Sequence, residues 1–135
     1  MALQLRLGIR SLIALLALEI FVSGCGNPSV PKLVQATGTV THEGKGLTAG
    51  SIYFHPAAEN SYKDDNPSSL LQTDGSFTMK TYPFGDGVAP GKYKVTLAPQ
   101  LASRINKPEY GKVEMTPWEV EVPEGGVQGL MLEVK

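Results

Sequence analysis

From Val34 onward the chain is written in short stretches that alternate apolar and polar residues and are cut apart by glycine and proline. Alternation with period two places successive side chains on opposite faces of an extended chain, so each stretch reads as a strand with one face to bury. VQATGTVTH puts Val34, Ala36, Gly38 and Val40 on one side and Thr37, Thr39 and Thr41 on the other. AGSIYFH opposes Ile52 and Phe54 to Tyr53 and His55. SLLQT leads into Asp74-Gly75, a dipeptide that favours a tight hairpin turn because glycine accepts positive φ. SFTMKTY carries Phe77 and Met79 on one face. KYKVTLA turns Tyr93, Val95 and Leu97 inward, WEVEV does so with Trp118, Val120 and Val122, and GLMLEVK with Leu130, Leu132 and Val134.

Seven strands with one apolar face each need a second sheet to bury it against, so about 100 residues in two packed sheets is the natural outcome. Fifteen Gly and ten Pro among 135 residues agree, because frequent turns keep elements short. Glu43-Gly44-Lys45-Gly46 and Pro123-Glu124-Gly125-Gly126 read as turns, 56–67 as a polar loop, and Pro90-Gly91 as a type II turn. Residues 99–115 form the longest connection, and nothing after Cys25 shows helical periodicity. The length suits one domain.

The start of the chain is of another kind. MALQLRLGIR carries only Arg6 and Arg10 as charges, and Leu12 to Val22 is an apolar run of eleven positions. A membrane-crossing helix needs about 20 apolar residues, whereas a basic start, a short apolar core and small residues after it read as a secretory signal peptide. Glu19 interrupts this core in its last third; a charge costs about 3 kcal/mol at the centre of an inserting segment and less toward its end. Val22-Ser23-Gly24-Cys25 resembles the lipobox of bacterial lipoproteins. The resemblance implies cleavage between Gly24 and Cys25, diacylglycerol on the Cys25 thiol and acylation of the new amino end. Two or more acyl chains anchor stably, at about 0.8 kcal/mol per buried CH₂. Gly26, in place of the Asp that retains some lipoproteins at the inner membrane, leans to the outer one. The expected organisation is a signal peptide over 1–24, a lipidated Cys25 with a glycine- and proline-bearing tether to residue 33, and a β-sandwich domain over 34–135.

Chemistry is sparse in the rest. The one cysteine is Cys25, so the domain beyond it holds no thiol for a disulfide, redox work or nucleophilic attack. A net charge of -1 and scattered lysines lack the basic footprint of nucleic-acid binding. His42 and His55 each fall at a strand end, whereas a metal centre needs three or four converging ligands. Asp64-Asp65-Asn66 has a calcium-like composition without the spacing and later Glu of a calcium loop. Glu119 and Glu121 sit on the outward face of a strand. No G-x-S-x-G turn presents a nucleophile and no G-x-x-x-x-G-K-[ST] loop cradles phosphate. The expectation is a non-enzymatic protein with no catalytic residue, no metal and no cofactor.

GTVTHEGKGLTAGSIYFHP, TDGSFTM and GDGVAPGKYKVTL, in that order, resemble small bacterial lipoproteins with a transthyretin-like or carboxypeptidase-regulatory-like domain. The matching residues are Gly38, Val40, Thr41, Gly44, Lys45, Phe54, Pro56, Thr73, Asp74, Gly75, Phe77, Pro90, Gly91, Tyr93 and Val95. The resemblance implies an all-β, seven-stranded antiparallel Greek-key β-sandwich, export, and usually no assigned biochemical role. Turn and core residues carry it, so it speaks for fold rather than activity. Related hydrolases of purine degradation end in Tyr-Arg-Gly-Ser; this chain ends LMLEVK, so that activity is not expected. Residues 129–135 also lack the Asn or Asp of an isopeptide crosslink.

Tyr53, Tyr62, Tyr82, Phe84 and Tyr110 fall on or near loops and outward faces. Such rings stack on sugars or anchor a partner, or else cover strand edges and pack under long loops. Tyr82 and Phe84 are the candidate ligand-contact residues. The expected function is a membrane-anchored contact module, held by lipid on Cys25 and facing an envelope protein or glycan. The alternative is a carbohydrate- or small-ligand-binding module of an envelope system. A third reading, a hydrolase working through His42 or His55, has no motif behind it.

Overall fold

The structure, a computed structural model, describes residues 30–135. The signal-peptide, cleavage and lipidation expectations at 1–24, Gly24 and Cys25 lie outside the described residues.

Strands are numbered in chain order. β1 (Ala36–His42), β2 (Lys45–Gly46), β5 (Ser76–Thr78) and β10 (Val127–Val134) form a four-stranded sheet, with β10 on one side of β1 and both β2 and β5 on the other. β3 (Ser51–Pro56), β4 (Ser68–Leu70), β6 (Lys80–Thr81), β7 (Gly85–Asp86), β8 (Gly91–Leu97) and β9 (Glu119–Val122) form a six-stranded sheet in the order β7-β6-β4-β3-β8-β9. The period-two pattern sets what each strand buries. Ala36 and Val40, Ile52 and Phe54, Tyr93, Val95 and Leu97, Val120 and Val122, and Leu132 and Val134 all join one core. Each such Val, Leu, Ile or Phe side chain contributes about 1.5–3 kcal/mol when fully buried.

The structure divides the strands more finely than expected and corrects the expectation of all-antiparallel pairing. First, there are ten strand segments, because SFTMKTY breaks at Met79 and the two-residue strands β2 and β7 form within stretches read as turn and loop. Its first half, β5, pairs with β1, and its second half, β6, pairs with β4. The Met79 N–H donates to the Ala36 carbonyl at 2.9 Å, and its own carbonyl accepts from the Gly87 N–H at 2.8 Å. One residue thus bonds to both sheets, which is how a strand turns a sandwich corner. Val34 and Val88 exchange two backbone bonds of 2.8 Å at a further bridge outside the named strands. Second, β1 and β10 run parallel. β9 and β10 belong to different sheets although only the 123–126 turn separates them, so β10 enters beside β1 from the same end. Ala36 faces Val127 but Gly38 faces Leu130, so β10 holds one extra residue, and Gly129 there adopts φ 69. That is a β-bulge.

The long connection contains a helix that the sequence reading left out. α1 (Pro99–Arg104) starts with proline, which suits the first helical turn because its missing N–H has no helical partner there. Asn106 ends it at φ 57; the Asn106 N–H donates to the Ser103 carbonyl and the Lys107 N–H to that of Ala102, the bonds of a Schellman cap. Leu101 and Ala102 are buried, and Arg104 Nη2 donates to the Thr48 carbonyl at 2.9 Å and to that of Ala49 at 3.2 Å. A 3₁₀ turn at Pro108–Gly111 follows. It buries Tyr110, the outcome in which such a ring packs under a long loop. Tyr110 meets Trp118 edge to face at 4.7 Å, Trp118 Nε1–H donates to the Glu133 carbonyl at 3.2 Å, and the Tyr110 hydroxyl accepts from the Lys135 N–H at 3.0 Å. These contacts fasten the end of β10 to the segment that leads into β9.

The 57–67 loop is tied to β8 by one side chain. Asn60 is buried; its Nδ2 donates to the Lys92 carbonyl at 2.8 Å and its Oδ1 accepts from the Lys92 N–H at 2.9 Å. The amide thus acts as a short piece of partner strand. Gly91 leaves it room, since a Cβ there would lie 2.6 Å from Asn60 Oδ1; the glycine serves this approach, inside β8, rather than a type II turn. Asn60→Ala is expected to cost about 1–3 kcal/mol, because it leaves the Lys92 N–H without its partner, while the Lys92 carbonyl keeps the Ala57 N–H. The shift in the urea midpoint at constant slope measures it.

Candidate binding grooves

The six-stranded sheet carries two grooves on its outer face. Cross-strand partners share a face, and the register places Thr96, Tyr53, Ser68, Lys80 and Asp86 in one outward row across β8, β3, β4, β6 and β7. One groove lies at the β8–β9 end and the other at the β4–β6–β7 end.

The β8–β9 groove, of about 620 Å³, is lined by His55, Lys92, Lys94, Glu119 and Glu121, with Glu59 and Val113 at its margins. Lys92 faces Glu121 and Lys94 faces Glu119 in register. Opposite charges in facing positions leave this surface close to neutral. His55 Nε2 is 2.8 Å from Thr96 Oγ1, and partial burial holds its imidazole below the ordinary histidine range. The ring is therefore neutral at neutral pH. His42 ends β1 in the other sheet, so the two histidines do not share a site.

The other titratable groups singled out from the sequence are tied into turns. Asp74 Oδ1 accepts from the Ser76 N–H at 2.9 Å, and hydrogen bonds from Ser76 hold its carboxyl below the usual range. The neighbouring Gly75 sits at φ 84 and donates to the Gln72 carbonyl at 2.9 Å, which makes Asp74-Gly75 a tight turn, although the flanking β4 and β5 pair in different sheets. In the 57–67 loop the Tyr62 hydroxyl donates to the Asp65 carboxylate, which pushes the phenol up to about 12. Among the described residues no group of three or more His, Cys, Asp or Glu converges as a metal site would require.

The β4–β6–β7 groove, of about 580 Å³, is built from Ser68, Ser69, Leu70, Gln72, Thr78, Lys80, Tyr82 and Asp86. It opens where β5 leaves for the other sheet while β4 and β6 stay paired. Lys80 Nζ lies 3.7 Å from Asp86 Oδ1 across β6 and β7. The turn beyond β6 is closed by the Phe84 N–H donating to the Thr81 carbonyl at 2.8 Å and by Thr81 Oγ1 donating to the Gly87 carbonyl at 2.8 Å, with a cis peptide bond between Tyr82 and Pro83. Tyr82 is 86% exposed and Phe84 43%.

The two ring residues nominated from the sequence therefore part company. Tyr82 lines the groove, whereas Phe84 stands outside it on the same hairpin tip. The sequence reading missed Ser68, Leu70, Gln72, Lys80 and Asp86. One signal was there: Lys80 and Tyr82 fall two apart on the outward face of SFTMKTY. The rest of the groove comes from segments that only the sheet register brings together. Comparison of the chain with protein-family models, with curated proteins and with solved structures gave no match.

Proposed function

We propose that the chain is a lipid-anchored, non-enzymatic envelope protein that presents a contact surface to other envelope components. In this reading residues 1–24 are a signal peptide, Cys25 carries the lipid, residues to 33 are a tether, and 34–135 form a transthyretin-like Greek-key sandwich whose seven main strands are β1, β3, β4, the broken β5–β6, β8, β9 and β10. The observation that carries it is Val22-Ser23-Gly24-Cys25 directly after a basic start and a short apolar core. Export to the envelope follows from that segment, with the outer membrane favoured by Gly26. Tyr82 and Phe84, exposed together at one hairpin tip, support a contact role. Aromatic anchors of this kind dominate the energetics of recognition surfaces.

Metabolic labelling with palmitate in a bacterial host tests the anchor. The wild-type chain is expected to take up label and Cys25→Ser to take up none. No label in the wild type, or equal label in both, overturns the anchoring reading. The carbohydrate-module reading is favoured by one further observation, the half-polar groove beside Tyr82.

A further inference from the structure

We infer that the β4–β6–β7 groove binds an uncharged oligosaccharide, with Tyr82 and Leu70 contacting sugar faces at its two ends. This rests on the contact-module reading and names its ligand class. A pyranose ring has an apolar face of C–H groups and a rim of hydroxyls that both donate and accept. The groove matches both. Tyr82, 86% exposed, and Leu70, 70% exposed, are large apolar surfaces with no covering side chain among the described residues. Around them Ser68, Thr78 and Gln72 supply groups that donate and accept, Lys80 only donates, and Asp86 only accepts.

Charge selects among ligands. Lys80 and Asp86 neutralise one another at 3.7 Å, so the groove has no free cation to attract a polyanion. A purely aliphatic ligand would strand its polar lining. Spacing favours a chain over a single sugar. Ser68 faces Lys80 in antiparallel register, so Leu70 and Tyr82, two residues beyond them, lie toward opposite ends of the paired segment. The volume of about 580 Å³ falls within the range of small-ligand sites, about 300–1,000 Å³.

The test is calorimetric titration of the full-length chain, in a sugar-free detergent, with maltohexaose, cellohexaose and chitohexaose. Glucose and a heparin hexasaccharide serve as short and polyanionic probes. At least one neutral hexasaccharide is expected to bind saturably and more tightly than either. Tyr82→Ala is expected to weaken that binding by about tenfold, or 1.4 kcal/mol. Phe84→Ala, outside the groove, is expected to weaken it less than Tyr82→Ala does, and Met131→Ala, on β10 of the other sheet, to leave it unchanged. No saturable binding of the three neutral probes at millimolar concentration overturns the inference, as does equal or tighter binding of heparin. Equal loss in Tyr82→Ala and Phe84→Ala moves the contact to the hairpin tip and also overturns it. Palmitate labelling of the same preparations keeps the two readings apart: labelled protein that binds no sugar refutes the groove and leaves the anchor standing. A photo-crosslinker in place of Tyr82 that captures an envelope protein, with no sugar bound, reassigns the surface to a protein partner.

Discussion

Gly38→Ala is expected to cost about 3 kcal/mol or more, at the upper end of what overpacking a core produces. In a domain of this size that lowers the melting temperature by about 12–24 °C, at roughly 4–8 °C per kcal/mol. The cause is close packing, not backbone freedom. Gly38 lies within β1, where its neighbours are Leu130 of β10 and Phe77 of β5. A Cβ at this position would stand 2.3 Å from the Leu130 carbonyl oxygen, 2.7 Å from Leu130 Cβ and 2.7 Å from Phe77 Cζ. Two of these atoms are backbone or the first side-chain atom, which no rotamer change can move away. The third belongs to a ring that is 2% exposed. Adding one methyl group must therefore part β1 from β10 at the bulge. Gly125→Ala is the matched control, because nothing lies within 4 Å of its Cβ. Circular-dichroism melts of the two variants check the claim; similar melting temperatures would refute the close approach of β1 and β10.

This glycine also shows where the sequence stops informing the fold. The alternation in VQATGTVTH places Gly38 on the inner face, and the structure buries it there. Period two is a local property, so the inward sides of Ile52 and Phe54, of Tyr93, Val95 and Leu97, and of Leu132 and Val134 could all be read before any pairing was known. Pairing is not local. That β10 lies parallel to β1, nearly the whole domain away in sequence, leaves no mark on either strand. The corner at Met79 is hidden for a related reason: the residue keeps its inward place in the alternation while its backbone bonds change sheets. α1 had the opposite fault. Pro99 and Asn106 bracket it as start and stop signals, but six residues are too few for a 3.6-residue period to show.

The groove was legible only through its ring. Pro83 opens a loop between Tyr82 and Phe84, where the sequence allows either exposure or packing of the rings, and the structure exposes both. Serines, a threonine and a glutamine carry no such mark, since the same residues fill any solvated strand face. Register alone makes them a site, by setting Ser68 opposite Lys80 and Lys80 opposite Asp86.

Phe54→Ala is expected to cost about 3–5 kcal/mol, the range for truncating a buried aromatic ring. Against a typical total of 5–15 kcal/mol that is a large share. Phe54 is fully buried on β3 of the six-stranded sheet. Its ring meets Phe77, on β5 of the other sheet, edge to face at 6.4 Å, and Tyr93 on β8 at 5.5 Å. Tyr93 is itself fixed, its hydroxyl donating to the Ala89 carbonyl at 2.5 Å, so it cannot swing to fill the space. Phe77 is held by β5 pairing with β1. A cavity therefore remains, and its cost adds to the lost burial. Phe54→Leu keeps most of the volume and is expected to lose less than half as much. A double-mutant cycle of Phe54→Leu with Phe77→Leu separates packing between the sheets from burial alone: a coupling of about 0.5–1.5 kcal/mol is the expected aromatic contribution. Additive losses would mean that the two rings share a core without holding each other, leaving the joining of the sheets to the rest of that core, the Met79 corner and the Trp118 contacts.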